Sequence, residues 1–108
     1  MGLSHRAKEL KPMSEECIRK EPWQIRCTVV SQEGDCAVGH KVGDEIIFTG
    51  DEVKGKICLS ALYSMMPKVY AMIYNARFPW LENQCKATHA CPDGFNPVIF
   101  ELTRIEKE

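Results

Sequence analysis

Residues 57–76 are the stretch of this 108-residue chain in which apolar side chains recur with a helical period. Spacings of three and four residues place such side chains on one face of a helix. The repeating residues are Cys58, Leu62, Met65, Met66, Val69, Met72, Ile73 and Ala76. Pro67 lacks an amide hydrogen, so we expect it to kink this helix or to divide it after Met66. These residues form the main helix of the predicted fold.

Period-two alternation predicts strands on both sides of the helix. In "WQIRCTVVS", Ile25, Cys27 and Val29 share one face, which makes Cys27 a small buried core residue. Further strands are predicted at 45–50 and 98–105, whereas "CKATHACPDGFNP" is rich in turn signals, with room for one short strand. This order predicts an α+β fold, in which a small, mostly antiparallel sheet packs on one long helix.

The length and the charge pattern indicate one domain with a polar extension. We assign residues 1–22 to the extension, in which Cys17 is an exposed thiol, and residues 23–108 to a single α+β domain. A net charge of -1 argues against nucleic acid as the partner. No apolar run is long enough for a membrane span or typical of a secretion signal, so we expect a cytoplasmic protein.

Six cysteines are more than the core of such a small domain uses. In the cytoplasm this number indicates reduced thiols, metal ligands or redox groups rather than a disulfide framework. Four ligand-capable residues lie at the edges of predicted elements, where several loops can converge. They are Cys36 and His40 in the first loop, Cys58 at the start of the helix, and Cys91 in a Cys-Pro-Asp-Gly turn. Cys85 and His89 lie near Cys91 in sequence, and whether they join the site is left open.

Three spaced motifs resemble those of a small, largely uncharacterised prokaryotic domain family. They are "CAVGHKVGDEIIFTG", "ICLSALYSMMPKVYAMIYNARFPW" and "CPDGFNPVIFEL", which together cover roughly residues 25–105. The family pattern is Cys-x-x-Gly-His-x-x-Gly-Asp, Cys-x-x-Ala, Pro-Trp and Cys-Pro-Asp. The resemblance implies which positions belong to the pattern, and Cys17, Cys27 and Cys85 lie outside it. It implies no established activity.

The leading hypothesis is a metal centre held by Cys36, Cys58 and Cys91, with His40 as the fourth ligand or a close neighbour. Three thiolates and an imidazole suit zinc, and an iron-sulfur cluster is an alternative. Such a protein would have a redox or accessory role to a larger enzyme. Trp80 and Asp93 are assigned to the cofactor-binding surface, although Trp80 is also a candidate lid on the core.

Two other classes of function remain open. The chain is an enzyme if Cys58 or Cys91 is a thiolate nucleophile and His40 its base, in a pocket walled by Trp80 and Tyr63. It is a metal-free interaction domain if its cysteines only pack. In that case a second helical row within residues 59–74 is the surface that binds a second copy of the chain or a partner enzyme. That row consists of Leu59, Tyr63, Tyr70 and Tyr74.

Overall fold

The computed structural model describes residues 23–106, and the predicted extension at residues 1–22, with Cys17, lies outside the described residues. Five antiparallel strands form one sheet in the order β3-β2-β1-β5-β4. The strands are β1 (Gln24–Gln32), β2 (Glu45–Phe48), β3 (Val53–Lys54), β4 (Lys86–Ala90) and β5 (Val98–Ile105), and one helix, α1 (Leu59–Ile73), follows β3. The predicted α+β class with an antiparallel sheet is therefore confirmed.

The two central strands supply most of the buried face of the sheet. In β1, Ile25, Cys27 and Val29 are fully buried, as the alternation predicts. β5 pairs with β1 from Gln24↔Ile105 to Gln32↔Val98, with a bulge between Val29 and Ser31. The core face of β5 continues with three buried residues, namely Val98, Phe100 and Leu102. This pairing sets the end of β1 beside the start of β5.

The helix is shorter than the sequence pattern predicts, with 15 residues instead of the span 57–76. Its five buried residues join the same core cluster as the sheet; they are Ala61, Met65, Val69, Met72 and Ile73. α1 continues through Pro67, so the predicted division after Met66 does not occur. Pro67 is exposed, and the carbonyl that loses its backbone donor there can bond to water.

The helix ends just before Asn75, and therefore before the Pro79-Trp80 step. Asn75 has a φ of 68°, the left-handed conformation that asparagine tolerates better than most residues. The amide of Ala76 then donates to the carbonyl of Ala71 at 2.9 Å, which closes the last turn. The indole of Trp23 donates to the Asn75 side chain at 2.9 Å.

β3 is not predicted from the sequence, whereas β4 is the one short strand for which the turn-rich segment has room. β3 is a two-residue exposed edge strand that pairs with β2. β4 occupies the first part of the predicted turn-rich segment, so only residues 91–97 are turns. Ala87 of β4 is buried in the core, which explains why this polar stretch pairs with β5.

A buried arginine joins the sheet to the end of the helix. Arg104 of β5 is 5% exposed and donates from Nε to the carbonyl of Met72 and from Nη1 to that of Gln84, each at 2.9 Å. Nη2 donates to the carbonyl of Ala76 at 2.6 Å. Burial lowers the pKa of Arg104 to about 10, which leaves it charged at neutral pH. A cation at this helix end also interacts favourably with the helix dipole.

We expect Arg104→Met to lower the free energy of unfolding by about 2–4 kcal/mol, because it leaves three carbonyls without their donor. Arg104→Lys keeps the charge but not the fork of donors, and it should cost less than Arg104→Met. Urea unfolding followed by tryptophan fluorescence measures both variants. Equal stability of Arg104→Met and the unaltered protein would contradict this role for Arg104.

Candidate functional site

The four predicted metal ligands line one cavity. This cavity has a volume of about 320 Å³ and lies between the loop after β1, the start of α1 and the turn after β4. Its lining includes Cys36, His40, Cys58 and Cys91, which are distant in the sequence. Asp93, predicted to bind a cofactor, lines the same cavity. Apolar residues complete most of the wall: Ala37, Val38, Ala61, Pro92, Val98 and Phe100.

Hydrogen bonds between loops hold the Cys36 and Cys91 segments together. The carboxamide oxygen of Asn96 accepts the amide of Asp35 at 2.9 Å, and the amide of Glu33 donates to the carbonyl of Pro97 at 3.0 Å. Gly34 allows this approach, because it has a φ of 69° and a Cβ at this position would collide with the Asn96 side chain. The turn before β5 thus lies against the loop after β1.

Cys36 lies in a turn whose backbone amides face its sulfur. Partial burial raises the pKa of the Cys36 thiol, but hydrogen bonds from the amides of residues 40, 38 and 39 together outweigh that effect. Asp93 opposes the amides weakly through its charge, and the net pKa of Cys36 lies below its ordinary value. Gly39, with a φ of 89°, closes this turn by donating to the Cys36 carbonyl at 2.9 Å.

Cys91 is placed by the pairing of its backbone with the start of β5. Its amide donates to the carbonyl of Val98 at 2.9 Å, and its sulfur accepts the Val98 amide at 3.3 Å. The thiol also donates to the carbonyl of Asn96 at 3.9 Å. These bonds hold the Cys91 side chain beside the start of β5.

Cys58 is the N-cap residue of α1. No side chain caps the first amides of α1 with a hydrogen bond, and the first turn has no acidic residue. Cys58 therefore places a thiol at the helix end that carries the partial positive charge of the dipole.

His40 connects the loop after β1 to the start of the helix. Its ring is 3% exposed and packs edge-on against Phe100, with 5.6 Å between ring centroids. Nε2 accepts the backbone amide of Cys58 at 3.1 Å, so in this hydrogen-bond arrangement the proton of the neutral ring lies on Nδ1. Nδ1 is 3.9 Å from a carboxylate oxygen of Asp44. His40 therefore positions Cys58, a role that sequence spacing alone did not show.

Asp44 and Asp93 stabilise turns beside the cavity. Asp44 accepts the amide of Lys41 at 2.9 Å, as expected for an aspartate that follows glycine in a turn. Asp93 accepts the amides of Phe95 and Asn96 through one oxygen. These amide bonds, with the Asn96 side chain, lower the pKa of Asp93 below its ordinary value.

Other candidate residues lie away from this cavity. Cys85 is disulfide-bonded and offers no thiolate, and His89 Nε2 instead lies 2.8 Å from the hydroxyl of Ser64. Trp80 is 69% exposed, so the prediction that it covers the core is wrong. Neither Trp80 nor Tyr63, which is 85% exposed, walls the cavity around Cys58.

The donors share a cavity without forming a finished coordination sphere. Within residues 23–106, no three His, Cys, Asp or Glu side chains are already grouped so as to hold a metal ion. The donor chemistry nevertheless suits a thiophilic metal, because three cysteines line the same cavity. Backbone amides are directed at the sulfurs of two of them, Cys36 and Cys91.

Comparison with protein-family models, curated proteins and solved structures gives no match for this chain. The motif resemblance described above therefore stays an expectation. Across residues 23–106, no helix has both the length and the apolar character needed to cross a bilayer.

We expect the pH midpoint of Cys36 alkylation to lie below that of glutathione measured alongside, because its lowered pKa increases the thiolate fraction. Cys27 should stay unmodified until the protein unfolds, since burial raises its pKa to about 12. The measurement uses iodoacetamide on chelator-treated protein, with mass spectrometry after cleavage at Glu33, which separates the two cysteines. A Cys36 midpoint at or above that of glutathione would contradict this description of the turn.

Proposed function

We propose that this chain is a small metal-binding protein whose centre is held by the thiolates of Cys36, Cys58 and Cys91. The observation that carries the proposal is the shared cavity, which three segments far apart in the sequence line with one sulfur each. His40 takes the neighbour role in this proposal, because its Nε2 already bonds to the amide of Cys58.

The surroundings of the sulfurs support the proposal. Metal binding requires deprotonated thiols, and backbone amides hold the pKa of the Cys36 thiol below its ordinary value. An amide also donates to the sulfur of Cys91, and Cys58 is the N-cap residue of α1. Cys27, fully buried without a comparable donor, is the contrasting case.

The donor set suits either zinc or an iron-sulfur cluster. Zinc would add folding free energy to a small domain. A cluster would supply electron transfer, and the protein would then serve a larger enzyme as an accessory. The residues have the same roles with zinc and with a cluster. Cys36, Cys58 and Cys91 bind the metal centre, while His40 and Asn96 hold the cysteine segments in place.

The cysteine-enzyme alternative has weaker support. A general base must lie within hydrogen-bond reach of the proton that it removes. His40 Nε2 accepts a backbone amide instead of a thiol proton, and Nδ1 faces Asp44. We therefore favour metal binding.

We also propose that the outer face of α1 binds a second copy of the chain. Leu59 and Tyr63 are 79% and 85% exposed, and Met66, Tyr70 and Tyr74 continue this stripe with spacings of three and four residues. Such spacing is typical of the seam between two packed helices. Lys68 is the only charged residue within α1, so two copies of this face would meet with little repulsion.

Protein purified without oxygen or chelator should contain a near-stoichiometric metal centre. Elemental analysis distinguishes the two forms: about one zinc per colourless chain, or iron with sulfide in a brown protein. Cys36→Ser, Cys58→Ser and Cys91→Ser should each reduce the metal content strongly. Cys27→Ala is the matched control and should retain the metal. Metal-free protein from this preparation, or equal metal content in all four variants, would contradict the proposal.

Light scattering should give a dimer for the unaltered protein and a monomer for Tyr63→Glu, because the carboxylate would be buried without a partner. Lys56→Glu, an exposed change before the helix, is the control and should leave the dimer intact. An unaltered protein that stays monomeric at high concentration would exclude a second copy and leave a different partner as the occupant of this face.

A further inference from the structure

Once the three sulfurs are assigned, the other donors around the cavity already have partners. His40 accepts the Cys58 amide through Nε2, and its Nδ1 faces the Asp44 carboxylate. Asp93 binds backbone amides through Oδ1, and Oδ2 accepts the Asn96 side chain at 3.3 Å. Recruiting either residue as a ligand would break the bonds that hold the cysteine segments in place.

The cavity has space beyond the sulfurs and is accessible from outside. Its volume of about 320 Å³ lies at the lower end of the range for small-molecule sites. Ala37, Ser60 and Pro92 line it and are exposed, so it opens to solvent. Deeper in the cavity, Ala61, Val98 and Phe100 present an apolar wall that is fully or almost fully buried. A compact apolar molecule therefore fits this space better than a polar one.

We propose that the chain supplies three ligands and that a small exogenous molecule supplies the fourth through one neutral nitrogen or sulfur donor. This inference rests on the proposed function. Three protein ligands with one open position are typical of zinc sites that act on a bound molecule, whereas structural sites have four protein ligands. The site would then be one of ligand binding rather than of structural support.

The charges around the cavity determine the class of this ligand. A divalent ion with three thiolates carries a net charge of -1, and the carboxylate of Asp93 adds further negative charge to the wall. Charges of the same sign repel more strongly in a partly apolar site than in water. An anionic ligand is therefore disfavoured, and a neutral donor such as an imidazole or thioether, on a compact apolar body, is favoured. Soft and borderline donors also match a thiolate-bound metal.

The experiment uses the full chain loaded with one equivalent of Co²⁺, whose visible absorption reports the ligands around the ion. Imidazole is the neutral probe and azide the anionic comparator. We expect imidazole to shift the visible bands, with saturation near one imidazole per cobalt. Azide should shift the bands only at higher concentration. Cys27→Ala, a change outside the cavity lining, is the control and should leave the cobalt spectrum and its response to imidazole unchanged.

Each outcome separates this inference from the proposed function. Failure to form a thiolate-to-cobalt absorption band would refute the zinc form of the proposed function, on which this inference rests. Stoichiometric cobalt binding with a spectrum that neither probe alters would refute the open position and leave the metal site standing. A stronger response to azide than to imidazole would overturn the ligand class.

Discussion

Two side-chain hydrogen bonds bring three cysteine segments to one place, and the candidate site depends on them. Asn96 accepts the amide of Asp35, which joins the turn before β5 to the loop after β1. His40 accepts the amide of Cys58, which joins that loop to the start of α1. The amide of Cys58 is partly buried, so loss of its partner would cost about 1–3 kcal/mol, whereas the Asp35–Asn96 bond is exposed and is the weaker of the two. The same bonds therefore stabilise the loops and position the sulfurs.

The sheet provides the frame for these bonds. Antiparallel pairing of β1 with β5 puts the loop after β1 beside the segment before β5, and pairing of β4 with β5 adds Cys91 at the same end. At the other end of the helix, Arg104 binds the carbonyls of Met72 and Ala76. α1 is thus tied to the sheet near both ends, so that Cys58 is held against the loops that carry the other two cysteines.

The features that follow backbone periodicity could be predicted from the sequence, whereas those that depend on tertiary partners could not. Alternation was sufficient to predict β1 and β5, and the helical repeat was sufficient to predict α1, because each pattern follows the geometry of its own element. A short strand was expected where β4 lies, but its bounds could not be given because its alternation lies next to the strong turn signals of the Cys-Pro-Asp-Gly segment. Arg104 shares the face of Phe100 and Leu102 by period two, a signal that could have identified it as buried. The grouping of Cys36, Cys58 and Cys91 around one cavity was a hypothesis from element edges, whereas the bond from Cys58 to His40 needed the folded chain.

The central claim is that these three sulfurs can converge on one atom, and arsenite tests it most directly. Arsenous acid condenses with three thiols, forming three As–S bonds and releasing three waters. Native mass spectrometry of the reduced, metal-free chain should show one arsenic per protein, and subsequent alkylation should spare Cys36, Cys58 and Cys91 together. An adduct in which any of the three remains open to alkylation, or the absence of an adduct, would contradict the account.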